Sequence, residues 1–287
     1  MTASFDYDIA FSRNLGWLSR DEQHALRKKR VAIAGLGGVG GLHLLTLARL
    51  GIGRFHLADF DRFDLANFNR QAGASMRTLD LPKLDVLVGL AHDIDPELEI
   101  VPFPDGVNAD NLDAFLDNVD VFVDGLDFFA FSTRELVFGA CHARGIPAVT
   151  VAPLGMGAAL VNFLPTGMSF ADYFGLADCA ESEKPLRFLL GLAPATLQRR
   201  YLVDMSYIDF KSGRGPSTAM ACQICAGVAA TEALKLLLRR GDVVAAPRAI
   251  QFDAYRNKLV RTWRPWGYRN PLQRILATIA QRQLARR

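Results

Sequence analysis

Arg30-Val31-Ala32-Ile33-Ala34-Gly35-Leu36-Gly37-Gly38-Val39-Gly40-Gly41 decides the fold. A short β-rich run breaks into glycines, and an apolar helical pattern carries on to Leu50, so the spacing predicts a strand, a tight turn and a helix over 38–50. With no side chains at Gly35, Gly37, Gly38 and Gly40, backbone amides can close on a phosphate, and the helix N-terminus adds partial positive charge. Such a loop alone also serves packing. Asp59 strengthens the nucleotide reading, because it ends a second strand over 54–59, about 20 residues on, where a carboxylate accepts both ribose hydroxyls. To this point a dinucleotide-dependent oxidoreductase and an ATP-using enzyme fit equally well.

Outward from that stretch, a polar helix over 19–29 precedes the first strand, and a helix over 83–92 and a strand over 98–102 follow the second. Strands over 120–124 and 148–151 flank a helix over 133–143. This alternation predicts an α/β, Rossmann-like, mostly parallel sheet with helices on both faces. Beyond Pro153 the pattern changes. Strands over 158–163, 250–252 and 259–263 have no helix between each pair, which predicts a mixed or antiparallel extension in the C-terminal half. Between them lie an aperiodic loop over 165–185, a helix over 186–199 and a long helix over 217–239. The segments read as an N-terminal helical arm (1–30), a nucleotide-binding core (31–165), a crossover loop, long helix and strands completing the same domain (166–270), and a basic amphipathic helix (271–287).

The chain has 287 residues and half-apolar composition, enough to bury a sizeable core. Its net charge of +3 comes from dispersed Lys and Arg except at the extreme C-terminus, so composition carries no nucleic-acid footprint and no such partner is expected. Four cysteines are too few and too unevenly spaced for a disulfide framework, which makes a reducing cytoplasm the expected setting. The first twelve residues lack a signal-peptide pattern, and runs such as 151–164 are short and glycine-rich, so no membrane association is expected.

Asp59-Phe60-Asp61-Arg62-Phe63-Asp64-Leu65-Ala66-Asn67-Phe68-Asn69-Arg70-Gln71, followed by Pro82-Lys83, separates the two nucleotide readings. Nicotinamide chemistry has no use for an arginine and a lysine here, whereas a triphosphate needs cations on its leaving pyrophosphate. With the glycine loop, these motifs resemble the ThiF/MoeB/HesA family of ubiquitin-activating-like adenylyltransferases in both order and approximate spacing. The resemblance runs over 13–163 and resumes at Ala229-Ala230-Thr231-Glu232-Ala233-Leu234-Lys235. It implies ATP-dependent adenylation of a carboxylate, with Asp59 on the ribose, Asp61 among the nucleotide ligands, and Asn67, Arg70, Gln71 and Lys83 on the phosphates. It also implies a homodimer in which Arg13 reaches the neighbouring subunit's ATP.

Asp127, in Asp124-Gly125-Leu126-Asp127, resembles the family aspartate that holds Mg2+, with Asp124 as the alternative. The family usually has asparagine next and an arginine soon after. This chain has Phe128-Phe129-Ala130-Phe131 and reaches Arg134 late, which leaves a non-catalytic nucleotide-binding scaffold as a rival reading. The resemblance implies as partner a small ubiquitin-like or sulfur-carrier protein or a peptide C-terminus, with a tRNA-directed dehydratase as a further rival. Residues 154–158 suit either an extended substrate tail lying close to the sheet or a buried strand. Cys179 lies where some members carry an acyl- or sulfur-transfer cysteine, although acidic neighbours disfavour its thiolate. Cys222-Gln223-Ile224-Cys225 lacks the second pair of a structural zinc site and reads as packing.

Overall fold

A computed structural model describes residues 4–177, 179–210, 212–275 and 278. The chain divides into two compact units, Met1–Leu126 with Ala226–Val243, and Asp127–Cys225 with Val244–Arg287. The first carries α1 (Tyr7–Ala10), α2 (Arg20–Arg27), β1 (Arg30–Ala34), α3 (Gly40–Leu50), β2 (Arg54–Ala58), α4 (Lys83–His92), β3 (Glu99–Phe103), α5 (Leu112–Phe115) and β4 (Val121–Asp124). Its strands lie in the order β3-β2-β1-β4 and pair in parallel, Ala34 standing beside Ala58 on one side and Asp124 on the other. Three strand ends thus meet at one edge, where open α/β sheets collect ligands.

β1 is central and apolar at every position from Val31 to Ala34, as a strand covered on both faces requires. Phe55, Leu57, Val121, Phe122, Leu44 and Leu47 are buried with it. Each such large side chain contributes about 1.5–3 kcal/mol. The α2 entry is fixed by a capping box: Glu22 N–H donates to Ser19 Oγ, and Ser19 N–H donates back to Glu22 Oε2. α3 stops at Gly51, which takes the left-handed conformation that closes helices.

The second unit carries α6 (Phe131–Arg144), β5 (Ala148–Leu154), β6 (Gly157–Phe163), α7 (Phe170–Phe174), α8 (Lys184–Leu192), the start of α9 (Ala219–Leu238), β7 (Arg248–Asp253) and β8 (Lys258–Trp263). Strands β5-β6-β7-β8 follow one another antiparallel. The expected class, a parallel Rossmann-like core and an antiparallel C-terminal half, is what the chain has.

Three details differ from the sequence reading. α8 ends at Leu192 instead of near Arg199, because Pro194 lacks the N–H and pushes Ala193 out of helical conformation; a 3-10 turn, Leu197–Tyr201, follows. The aperiodic 165–185 stretch contains α7, which Ser169 caps by accepting the Asp172 N–H at 3.1 Å. Residues 154–158 are not one continuous strand: Leu154 ends β5, residues 155 and 156 turn with Gly155 at φ 65°, and Gly157 and Ala158 open β6, Leu154 standing opposite Gly157. The expected C-terminal helix opens with helical residues 271–275, and 276, 277 and 279–287 lie outside the described residues.

Candidate functional site

The glycine loop is built by backbone against backbone. Gly35 has φ 82°, and a Cβ there would overlap the Gly125 carbonyl that follows β4. A Cβ on Gly40 would overlap the Gly35 carbonyl oxygen. These two glycines therefore serve the turn itself. Gly37 is different, since a Cβ there would meet only Gln71 Nε2 at 3.8 Å, an ordinary contact. Nothing in the fold demands glycine at 37; close approach of a ligand to its backbone would.

Asp59 closes the loop from the neighbouring strand. Its Oδ2 accepts the Leu36 N–H at 2.5 Å and its Oδ1 accepts the Asp61 N–H at 2.8 Å. Burial raises its carboxyl above the usual carboxylate value, while those N–H bonds and the Lys83 charge pull it back. Each oxygen keeps lone-pair capacity for a hydroxyl.

Lys83 begins α4, and its Nζ lies 3.0 Å from Asp61 Oδ2; the lysine side chain is 6% exposed and the aspartate 55%. Asp61 is thereby engaged with the lysine. Arg70 is half-buried, its Nη1 donating to Ala66 O at 2.9 Å and Asn69 Oδ1 at 2.8 Å. Asn67 spends its Oδ1 on the Asp64 N–H, within a capping box that shapes the 65–67 turn. Gln71 is buried beside Gly37, and its Oε1 has no hydrogen-bond partner among the described residues. A buried acceptor in that state calls for a donor from a ligand or water. The open backbone at Gly37 and the cations Arg70 and Lys83 suit a triphosphate, and the hydroxyl or amino groups of a nucleoside are the donors that the Gln71 oxygen lacks.

Arg13 does not join this cluster. It lies in the 3-10 turn Ser12–Asn14 and lines a groove of about 520 Å³ with Leu45, Arg49, Leu90 and Asp93. At about 1.5 Å per residue, Arg49 stands roughly 13 Å along α3 from Gly40.

In the second unit, Asp127 is exposed, and its Oδ1 accepts the Phe129 N–H at 2.9 Å. Among the described residues no group of three or more His, Cys, Asp or Glu could hold a metal ion. One carboxylate plus phosphate oxygens is nevertheless a usual magnesium environment, so Asp127 fits as a single ligand. Asp124, at the end of β4, is buried and accepts the Leu126 N–H at 3.1 Å.

Arg134 is buried. It donates to the Asp127 carbonyl at 2.9 Å and stacks over Phe188 at 4.7 Å. The phenylalanines at 128, 129 and 131 pack edge-on with one another, and Phe128 and Phe131 also meet Phe188 at 5.2 and 5.7 Å. The unusual aromatic segment is therefore a packed turn with an arginine as its rivet, and Arg134 is committed to structure.

Cys179 donates its thiol to Leu176 O at 3.2 Å, and burial raises its pKa, with Arg187 the largest opposing influence. Cys222 and Cys225 are buried in α9, and burial pushes the Cys225 thiol up. Two residues that shape the site escaped the sequence reading. Gly125 meets the glycine loop, signalled only by a glycine directly after β4. Asp64 fixes the 65–67 turn, signalled by an Asp three positions before Asn67.

A family model described as the ThiF family matches residues 11–275. The tRNA threonylcarbamoyladenosine dehydratase of Bacillus subtilis (strain 168) is 40% identical over 91 residues, 32% of this chain and 36% of that protein. The molybdopterin-synthase adenylyltransferase of Escherichia coli (strain K12) is 32% identical over 136 residues, 47% of this chain and 54% of that protein. The chain thus spans between about a third and about half the length of these curated relatives. Among solved structures, E. coli MccB with ATP superposes with TM-score 0.66 at 19% identity, covering 92% of this chain and 73% of that one. E. coli TcdA with ATP gives 0.59 at 23%, covering 84% and 100%. These likenesses show the fold.

Proposed function

Because the chain belongs to the ThiF family, we propose that it is an ATP-dependent adenylating enzyme that turns a carboxylate into its acyl-adenylate and releases pyrophosphate. The observation that carries this reading is the pairing of a ribose-type carboxylate with phosphate-type cations at one sheet edge: Asp59 bound to the loop amide of Leu36, and Lys83 held by Asp61. A nicotinamide enzyme has no role for the second half of that arrangement.

In this reading the substrate carboxylate attacks the α-phosphate in line. Loop amides and the α3 N-terminus hold the phosphates, and Arg70 and Lys83 stabilise charge on the departing pyrophosphate. Lys83 exchanges its Asp61 partner for phosphate oxygen. No protein nucleophile is needed. A bound magnesium ion would supply further charge neutralisation, with Asp127 as its protein ligand.

We assign as substrate the C-terminal carboxylate of a small ubiquitin-like or sulfur-carrier protein or of a peptide. The working unit is a homodimer in which Arg13 serves the neighbour's nucleotide; its place far along α3 from its own loop supports that use. The scaffold reading retains one supporting observation, the burial of Arg134.

ATP–pyrophosphate exchange, measured with candidate proteins and peptides ending in free carboxylates, tests the assignment. Arg70→Ala and Lys83→Ala are each expected to lower exchange by about 100-fold or more at unchanged melting temperature. Exchange at the wild-type rate in both variants sinks the pyrophosphate-stabilising role of these two cations, and ATP binding without exchange under any carboxylate favours the scaffold.

A further inference from the structure

The small net charge conceals a strong asymmetry. Of 33 Lys and Arg in the chain, nine fall in residues 254–287, where there is no Asp or Glu, and the preceding 253 residues hold 24 against 30 and are net acidic. Eight of those nine are arginines. The basic stretch begins where the second unit's sheet opens. Register places Arg248 opposite Trp263, Ile250 opposite Arg261, and Phe252 opposite Leu259, so these six side chains share one face of the β7–β8 pair. On β6 the same face is closed, with Ala158 and Leu160 each 3% exposed. On β8 it is open, with Leu259 58% and Trp263 65% exposed, and Trp266 just beyond at 68%.

Among the described residues Arg248 and Arg261 have no ion pair or side-chain hydrogen bond, and no ring or guanidinium is stacked on Trp263, although Arg248 stands opposite it across the strands. We propose that this face binds single-stranded nucleic acid, with unstacked bases lying on Trp263 and phosphates held by Arg248 and Arg261. Base stacking on an exposed ring flanked by guanidinium groups is how such strands are held without sequence readout. Two observations select this occupant. Both cations of the face, Arg248 and Arg261, are arginine, whose planar fork suits phosphate and base faces, whereas a lipid surface is served equally by lysine. On β8, Arg261 also stands between Leu259 and Trp263 and splits the exposed apolar side chains, which suits a bilayer less well than a strand of bases. Residues 276–287 carry Arg282, Arg286 and Arg287 and no Asp or Glu, so their charge does not complement that of the face. The proposal is independent of the adenylation reading.

Fluorescence anisotropy of the full chain with labelled 12-nucleotide uridine and thymidine strands tests it. Binding to either is expected to weaken about sevenfold between about 50 and 200 mM salt, the change for two neutralised phosphates on a single strand. Arg248→Glu with Arg261→Glu is expected to weaken it at least tenfold. Trp263→Ala is expected to weaken it about tenfold at unchanged salt slope, with Trp263→Phe restoring most of the loss. Should the reversal variant melt early, Arg261→Gln alone reads the same through a shallower salt slope. Absence of binding to both strands overturns the proposal, as does binding indifferent to these substitutions. Tighter association with vesicles of phosphatidylcholine and phosphatidylglycerol, lost in the same variants, overturns it in favour of a membrane surface. ATP–pyrophosphate exchange in the variants is expected at the wild-type rate, which keeps this outcome separate from that of the adenylation test.

Discussion

Two turns leave the parallel strands of the first unit at the ligand edge, one after β1 and one after β4, and they are held by different means. The first is closed by main chain on main chain: Gly35, Gly40 and Gly125 approach so closely that no Cβ fits, and Asp59 ties the loop to β2. The turn after β4 continues into the second unit, where phenylalanine rings and the buried guanidinium of Arg134 hold residues 127–131. A fit made by backbone atoms admits one residue type per position. A fit made by rings has many solutions, so the second turn can depart from a family pattern without losing its shape.

The most damaging change to this contrast is in the first turn. Gly40→Ala is expected to cost about 3 kcal/mol or more in urea denaturation, because the new methyl has only backbone to displace. Gly37→Ala, three residues away, is expected to leave stability within about 1 kcal/mol of wild type while weakening ATP binding. If both variants are equally stable, the distinction between structural and ligand-facing glycines fails.

Next in size is the rivet of the second turn. Arg134→Met is expected to lower stability by about 2–3 kcal/mol, since it strips charged donors from the Asp127 and Phe128 carbonyls. Exchange activity should then fall only as far as folding does. A large loss of exchange at an unchanged melting temperature would instead put the guanidinium in the chemistry.

His43, in α3 behind the first loop, is fully buried, and both ring nitrogens lack partners among the described residues. Burial lowers its pKa from 6.5 to about 3. The unfolded chain therefore takes up this proton first as pH falls. The contribution is intact above pH 6.5, declines below it, and is fully lost near pH 3. By pH 5 the loss amounts to about 2 kcal/mol. His43→Leu is expected to flatten the acid limb of the stability curve, and an unchanged slope would mean the imidazole finds a proton partner. The smallest effect is expected at Cys179. Cys179→Ser should leave exchange unaltered, and alkylation of the wild-type thiol should be slow at neutral pH, because burial favours the protonated form.

Much of this was legible in the sequence because the first unit obeys local rules. β1 and α4 lie where their patterns predict, and Ser19 with Glu22 announces the start of α2. The nucleotide residues were legible as a set, but their division of labour was not. Asn67 as a turn cap and Asp61 as the partner of Lys83 depend on distances that spacing does not encode. The extent of α8 was overread because its apolar pattern runs on past Pro194, where backbone chemistry overrides periodicity. The open face of β7–β8 was hidden by averaging: a net charge of +3 does not reveal that one end of the chain is wholly basic.

One fastening outside both turns bears on how the chain tolerates change in length. Tyr201 accepts the Met156 N–H at 2.8 Å, donates to Asp253 at 2.7 Å and stacks on Tyr255, so the crossover stretch between β6 and α9 is pinned to the hairpin tip at that ring. Extra residues spliced in at Val203, which is completely exposed, would bulge outward and leave the pin in place. The same insertion at Tyr201 would unbutton the crossover from the sheet, which makes Val203 the natural port for an epitope or a reporter domain.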